Sequence, residues 1–171
     1  MSGHSKWSQI KHKKALSDKK RGQIFSKLAR LITLAAKKGT DPKANPGLAQ
    51  VIDQARAANM PGDNIERAVK KVSDKDQAQL EELSIEALGP GGVALKIRAI
   101  TDNRNRTMAE IKKILSDNDS KMVQPGSLSW MFNQRISVDP VAQVKIDKLF
   151  EALDDQDEVE DVISNLSEDT Q

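Results

Sequence analysis

The stretch of sequence that decides the fold is residues 83–100, LSIEALGPGGVALKIRAI. Every second residue on either side of its glycines is apolar: Leu83, Ile85 and Ala87, then Val93, Leu95, Ile97 and Ala99. Such alternation is typical of strands that bury one face. The run Gly89-Pro-Gly-Gly92 between the two halves supplies a turn. The stretch therefore predicts a β-hairpin.

Helices and strands are predicted after the hairpin. Apolar residues recur at three- and four-residue spacing in residues 107–116 and 141–153, which predicts two helices. Three further strands are predicted at residues 127–132, 136–138 and 159–166. The order β-β-α-β-β-α-β implies a small antiparallel or mixed sheet with helices on one face, so the fold class is α+β.

The sequence before the hairpin has a helical period instead. Helices are predicted over residues 23–38, 48–58 and 63–72, with a stop at Gly39, a turn-rich connection at residues 41–47 and a break at residues 59–62. Asp63 is predicted to cap the third helix. The predicted domains are a basic arm at 1–20, a three-helix domain at 21–72, a linker at 73–79 and an acidic α/β domain at 80–171.

Charge is segregated along the chain. Residues 1–72 hold sixteen Lys and Arg against five Asp and Glu, whereas residues 73–171 hold eleven against twenty, for a total of only +2. A basic end of this density favours a polyanionic partner, because each cation that neutralises a phosphate releases condensed counterions. Nucleic acid is therefore the predicted partner.

Composition excludes several classes of protein. The 171 residues include 37% hydrophobic residues, enough for a modest core, and no cysteine, so disulfides, thiolate zinc sites and cysteine nucleophiles are excluded. The most apolar stretch, residues 31–36, is too short to span a bilayer, and no secretory signal follows the basic N-terminus. We expect a cytoplasmic protein with no membrane partner. A transit peptide is the alternative interpretation of the basic N-terminus.

The candidate nucleic-acid contacts lie mainly in the arm and the first helix. They are Lys6, Trp7, Lys11, His12, Lys13, Lys14, Lys19, Lys20, Arg21 and Lys27. Trp7 has two interpretations, because an exposed indole among lysines can stack on an unpaired base or can anchor the arm to the helices.

Arg104 and Arg106 complete the candidates. Both precede a predicted helix, so their charges are unfavourable beside the positive end of the helix dipole. A phosphate bound at that place would reverse this penalty. Salt bridges, for example with Asp102 or Glu110, are the alternative. The glycines at residues 89–92 lack the spacing of a phosphate-binding loop.

No residue pattern predicts catalysis, a cofactor or a small-molecule substrate. Both histidines lie in the arm, there is no tyrosine, and no recognisable nucleophile motif is present. The six acidic residues within 154–161 lack the spacing of a calcium loop, so we predict a solvated acidic face and no metal site. Because the third helix begins with Asp63, Asn64 and Glu66, base reading in a major groove is disfavoured and backbone contacts are favoured.

Several short motifs resemble one known family when taken in order. They are Gly3-His-Ser-Lys-Trp7, Ile10-Lys-His-Lys-Lys14, Phe25-Ser-Lys27, Asp41-Pro42, Asn59-Met-Pro61, Gly89-Pro-Gly-Gly92 and Thr101-Asp-Asn-Arg-Asn-Arg-Thr107. Together they resemble the YebC/PmpR family. The resemblance implies a basic three-helix domain followed by α/β domains. It also implies DNA-binding regulation of transcription or, as in mitochondrial relatives, activation of translation.

The chain departs from that family at one place. An α/β module that the family inserts after residues 131–132 is expected to be missing, and residues 138–166 resemble the family's final segment, which is expected to complete the sheet. We predict a non-enzymatic nucleic-acid-binding regulator of gene expression, whose partner is promoter DNA or, alternatively, ribosomal RNA on the ribosome. Its oligomeric state stays open.

Overall fold

A computed structural model describes residues 18–74 and 79–168. Most of the predicted arm and of the predicted linker lies outside these residues. The described chain divides into a helical unit, residues 18–74, 79–81 and 100–103, and an α/β unit, residues 82–99 and 104–168. Residues 100–103, which were predicted to belong to the second domain, therefore cluster with the helices.

Three helices form the helical unit, as predicted. Helix α1 spans Asp18–Ala36, α2 spans Pro46–Ala57, and α3 spans Gly62–Lys70 and continues into a 3-10 turn at Lys71–Ser73. Helix α1 begins earlier than the predicted residue 23, so Asp18, Lys19 and Lys20 of the predicted arm are helical. Asp18 lies in the first turn, where a carboxylate stabilises the positive end of the helix dipole.

The predicted cap of α3 is wrong. Pro61 occupies the N-cap position without a side-chain hydrogen bond, and Asp63 lies within the first turn. Asn59, which has a positive φ of 60°, makes the break between α2 and α3. Asp63 still stabilises the helix, because its charge lies near the positive end of the dipole.

The core of the helical unit is formed by one face of each helix. Its buried apolar residues are Ile32, Ala36, Leu48, Ile52, Ala55, Met60, Ile65 and Ala68. Thr33 is also buried, and its hydroxyl lies 2.9 Å from the carbonyl oxygens of both Ala29 and Ala68. This contact ties α1 directly to α3 and fixes the separation of the two helices.

Asn45 joins the end of α1 to the start of α2. Its side-chain oxygen accepts a hydrogen bond from the Leu48 amide at 3.1 Å, which caps α2. Its amide nitrogen donates to the carbonyl oxygens of Ala35 at 2.9 Å and Gly39 at 2.8 Å, which satisfies the end of α1. One buried side chain therefore completes two helix ends.

We expect Asn45→Ala to lower the free energy of unfolding by about 2 kcal/mol, because it removes a cap and leaves two carbonyl groups without their donor. Asn45→Asp keeps the cap acceptor but turns a carboxylate oxygen toward the two carbonyl oxygens, so it should cost at least as much. Urea unfolding monitored by circular dichroism measures both values. Equal stability of the wild type and Asn45→Ala would contradict this role.

The α/β unit contains a four-stranded sheet. Its elements are β1 (Glu81–Leu88), β2 (Ala94–Thr101), α4 (Arg104–Asp117), β3 (Lys121–Val123), α5 (Pro140–Asp155) and β4 (Val159–Ser164). The strand order is β3-β1-β2-β4, with β1 antiparallel to β3 and β2 antiparallel to β4. The predicted hairpin is confirmed, since β1 and β2 are neighbours joined by a tight turn. The expectation that the final segment completes the sheet is also confirmed.

Gly91 explains why the hairpin turn is rich in glycine. Its φ is +69°, and a Cβ at this position would lie 2.8 Å from the Cγ1 atom of Val138. Any other residue type there would therefore strain the backbone and force the Val138 side chain to shift.

Both helices of the α/β unit cover the same face of the sheet. Ile111 and Leu115 of α4 and Phe150 and Leu153 of α5 are in one core with Leu83, Ile85, Leu95 and Ile97 of the strands. These strand residues are the alternating positions of the hairpin. The fold class is therefore α+β, with a three-helix unit and helices on one face of the sheet.

Two predicted strands are wrong. Residues 127–132 form a turn and a 3-10 helix at Ser129–Asn133, and Ile136 makes only an isolated bridge to Leu166. The hydroxyls of Ser127 and Ser129 donate to carbonyl oxygens three residues earlier, at 2.6 and 3.0 Å. Such local bonds favour turns over strands. The short strand β3 occurs instead at residues that were not predicted to form one.

Candidate nucleic-acid interface

The described candidates of the helical unit lie on α1. Lys19 and Arg21 are exposed and Lys20 is half-buried, so the first turn of α1 presents cations. Lys27 is only 5% exposed, and the structure does not offer it to a phosphate at the surface. The other candidates of the N-terminal region lie outside the described residues: Lys6, Trp7, Lys11, His12, Lys13 and Lys14.

Six exposed cations of the helical unit form no ion pair within residues 18–74 and 79–168. They are Lys19, Arg21, Lys38, Lys43, Arg67 and Lys71. Of these, only Lys19 and Arg21 were predicted as contacts. The helical unit therefore keeps a positive surface that no carboxylate of the described chain neutralises.

A groove between α1 and α3 brings two of these cations together. Its volume is about 200 Å³. The residues that line it are Phe25, Ser26, Ala29, Met60, Asn64, Arg67, Ala68 and Lys71. Sequence reasoning missed the groove, because its two walls are separated by more than thirty residues of sequence.

Arg106 is held by a carboxylate at the start of α4. It forms an ion pair with Glu158, which also accepts a hydrogen bond from the Thr107 hydroxyl. Glu158 and Thr107 are buried, so this pair is part of the packing at the start of α4. The salt-bridge interpretation is confirmed for Arg106, although the partner differs from the two predicted. Arg104 is the first residue of α4, within the helix and not in a preceding loop, and is exposed.

The acidic segment near the C-terminus is not the solvated face that was predicted. Glu158 and Glu160 are 7% and 6% exposed. No three His, Asp or Glu side chains of the described residues come together as a metal site would. At the surface of this unit, Lys145 donates a 2.7 Å hydrogen bond to Asp119. That bond and the lysine charge lower the pKa of Asp119, and the pKa of Lys145 is raised in return.

Two family models match the chain. Residues 5–75 match the N-terminal domain of TACO1/YebC proteins, and residues 80–139 match the second and third domain of the same proteins. The chain belongs to the TACO1/YebC family. The resemblance found in the short motifs is thereby confirmed.

Relatives of this family member are named as regulators. Proteins of Chlorobaculum parvum and Geotalea uraniireducens, each called a probable transcriptional regulatory protein, are 49% identical to it over 156 and 154 residues. These matches cover 90% and 89% of this chain. The chain spans only 62% of the length of either relative. The expected absence of an inserted module stays a prediction.

A solved structure has the same fold. The crystal structure of a conserved hypothetical protein from Aquifex aeolicus is 29% identical, with a TM-score of 0.84. The match covers 98% of this chain and 100% of that one. Among the described residues, no helix is both long and apolar enough to cross a membrane.

Proposed function

We propose that this family member is a non-enzymatic, cytoplasmic regulator of gene expression that binds nucleic acid through its basic N-terminal part. The observation that carries the proposal is the segregation of charge, sixteen cationic against five acidic residues in residues 1–72. The six exposed cations without ion pairs support it, because their charge is available to phosphates. Regulation of transcription through promoter DNA is the first candidate, and the names of the relatives, probable transcriptional regulatory proteins, support it.

The length and the charges of α3 limit how this helix can recognise DNA. This helix has nine residues, and it exposes Asp63 and Glu66 in its first half, where a recognition helix usually contacts bases. Carboxylates at these positions repel phosphates. Contacts to the phosphate backbone therefore suit the helical unit better than sequence reading in a major groove.

Control of translation through ribosomal RNA is the second candidate. The observation that favours it is the groove between α1 and α3, which combines an apolar floor with exposed Arg67 and Lys71. Proteins that bind RNA commonly receive unstacked bases on apolar or aromatic surfaces.

Substitution of Lys11, Lys13 and Lys14 by Gln tests the proposal in the whole chain. If all three contact phosphates, the slope of log affinity against log salt should become shallower by about 3, since each contact contributes about 0.9 on duplex DNA. The loss should be similar for different duplex sequences, because phosphate contacts carry no sequence information. Fluorescence anisotropy with a labelled duplex at several salt concentrations measures the slope.

A matched control removes three exposed lysines of the α/β unit. Substitution of Lys96, Lys112 and Lys148 by Gln changes the net charge by the same amount. Under the proposal, this control leaves the slope unchanged. Equal slope changes in the two triple variants would contradict the assignment of binding to the basic part.

A further inference from the structure

The groove between α1 and α3 has the chemistry of a nucleotide site. Its floor is apolar and is formed by half-buried Phe25 and Ala29 with buried Met60 and Ala68. Arg67 and Lys71 lie four residues apart along its edge and are both exposed, without an ion pair in the described chain. The groove therefore places an apolar surface beside two available positive charges.

The size of the groove decides which ligands fit. A cavity of about 150 Å³ holds one benzene molecule, whereas sites for cofactor-sized ligands are about 300–1,000 Å³. At about 200 Å³, this groove suits one planar ring system and is too small for a whole cofactor. A single heterocyclic base, with its sugar and phosphate outside, matches that volume.

Two polar side chains complete the lining of the groove. Ser26 and Asn64 also line the groove, and a hydroxyl and an amide can both donate and accept hydrogen bonds. The described structure records no hydrogen bond for either side chain. Their bonding capacity is therefore available to a ligand.

The walls of the groove are fixed in position and continue along α1. The Thr33 contact to the Ala29 and Ala68 carbonyl oxygens ties the two walls together. Gly22 lies four residues before Ser26, on the same side of the helix, and has open space around its Cα. Lys19, one turn earlier, adds a cation in line with the groove, so a strand that leaves the site can continue along α1.

A second groove, between α2 and α3, provides a contrast. It is larger, at about 510 Å³, but its Lys70 pairs with Glu66 at 3.6 Å and its Arg56 pairs with Asp53 at 3.4 Å. Its charges are therefore neutralised within the protein. Charge complementarity to a polyanion is found at the α1–α3 groove.

From these observations we infer that the α1–α3 groove receives one unpaired base of an RNA strand, while Arg67 and Lys71 contact the adjacent phosphates. The occupant is RNA because its loops present unstacked bases, whereas the bases of duplex DNA are stacked and offer no accessible face. The inference rests on the proposed function, since it specifies the nucleic acid that the basic part binds.

Ser26→Phe in the whole chain tests the site. Ser26 is exposed, so the new ring fills the groove without entering the core and without changing the charge. Gln50→Phe, at an exposed position of α2 outside the groove, is the matched control. Stacking of a base is worth about 1–3 kcal/mol, so Ser26→Phe should weaken binding of a short oligoadenylate about tenfold. Binding of duplex DNA at the same salt should change less than about twofold.

An abasic oligoribonucleotide of the same length separates stacking from charge. The quantity to compare is the ratio of the affinity for oligoadenylate to the affinity for the abasic strand. This ratio should be about tenfold larger for the wild type and Gln50→Phe than for Ser26→Phe. Thermal melting and circular dichroism confirm that both variants are folded. Single-stranded DNA is measured in the same way. If Ser26→Phe weakens the binding of single-stranded DNA more than the binding of RNA, the choice of RNA is overturned.

The outcomes distinguish the inference from the proposed function. If the wild type binds polynucleotides with steep salt dependence but Ser26→Phe has the same ratio of oligoadenylate to abasic affinity, the inference is wrong and the proposed function stands. If the folded wild type binds no polynucleotide at low salt, the proposed function fails as well. A loss of duplex binding by Ser26→Phe equal to its loss of RNA binding would also overturn the base site.

Discussion

Between about 50 and about 200 mM salt, the affinity of the whole chain for a polynucleotide should fall by about a thousandfold. This estimate follows from about six phosphate contacts on duplex DNA, each of which contributes about 0.9 to the slope of log affinity against log salt. Six exposed cations of the helical unit without ion pairs and four lysines in residues 1–17 make that number available.

The salt titration tests the segregation of charge and not the total charge. A chain whose charges were mixed would have a weak field, because its net charge is only +2. A steep slope therefore requires that several cations contact phosphates at the same time and that the acidic residues of the α/β unit do not. Fluorescence anisotropy across the salt series, with duplex DNA and with structured RNA, provides the measurement. A flat titration with both ligands would contradict the proposed mode of binding.

Periodicity in the sequence was sufficient to predict most of the fold. The hairpin could be predicted because its alternation and its glycines agree, and α5 could be predicted because its buried residues recur at helical spacing. Strand β3 could not, since three residues are too few to establish a period. Residues 127–132 do not form the predicted strand, because the hydroxyls of Ser127 and Ser129 bond to nearby backbone carbonyl oxygens and favour a turn.

The charge of the candidate interface could be predicted, but the contacts of individual residues could not. Lysine counts located the basic end, yet they do not distinguish exposed Lys19 from buried Lys27 on the same helix. The groove requires residues near 26 and near 67 to meet, and this depends on how α1 packs on α3. Glu158 likewise contacts Arg106 across 52 residues of sequence, which no local spacing reveals.

The Arg106–Glu158 pair gives the largest stability effect that we expect. Glu158→Ala should lower the free energy of unfolding by about 3 kcal/mol, because it leaves the buried Thr107 hydroxyl without this acceptor and removes the carboxylate that pairs with Arg106. The value is at the lower end for a buried pair because the Arg106 side chain is 46% exposed and water can solvate it. Urea unfolding of the whole chain measures the difference.

Two further variants separate structure from nucleic-acid binding at this pair. Glu158→Gln keeps an acceptor for Thr107, so its loss should be smaller, about 1–2 kcal/mol. Lys113→Ala, which removes an exposed pair with Asp117, should change stability by less than about 1 kcal/mol.

Arg106→Gln decides whether this residue contacts phosphate. Because its guanidinium group is held by Glu158, the variant should lose about 2 kcal/mol of stability while the salt slope of nucleic-acid binding stays unchanged. A slope shallower by about 1, with stability preserved, would instead identify Arg106 as a phosphate contact and its pairing with Glu158 as unimportant for the fold.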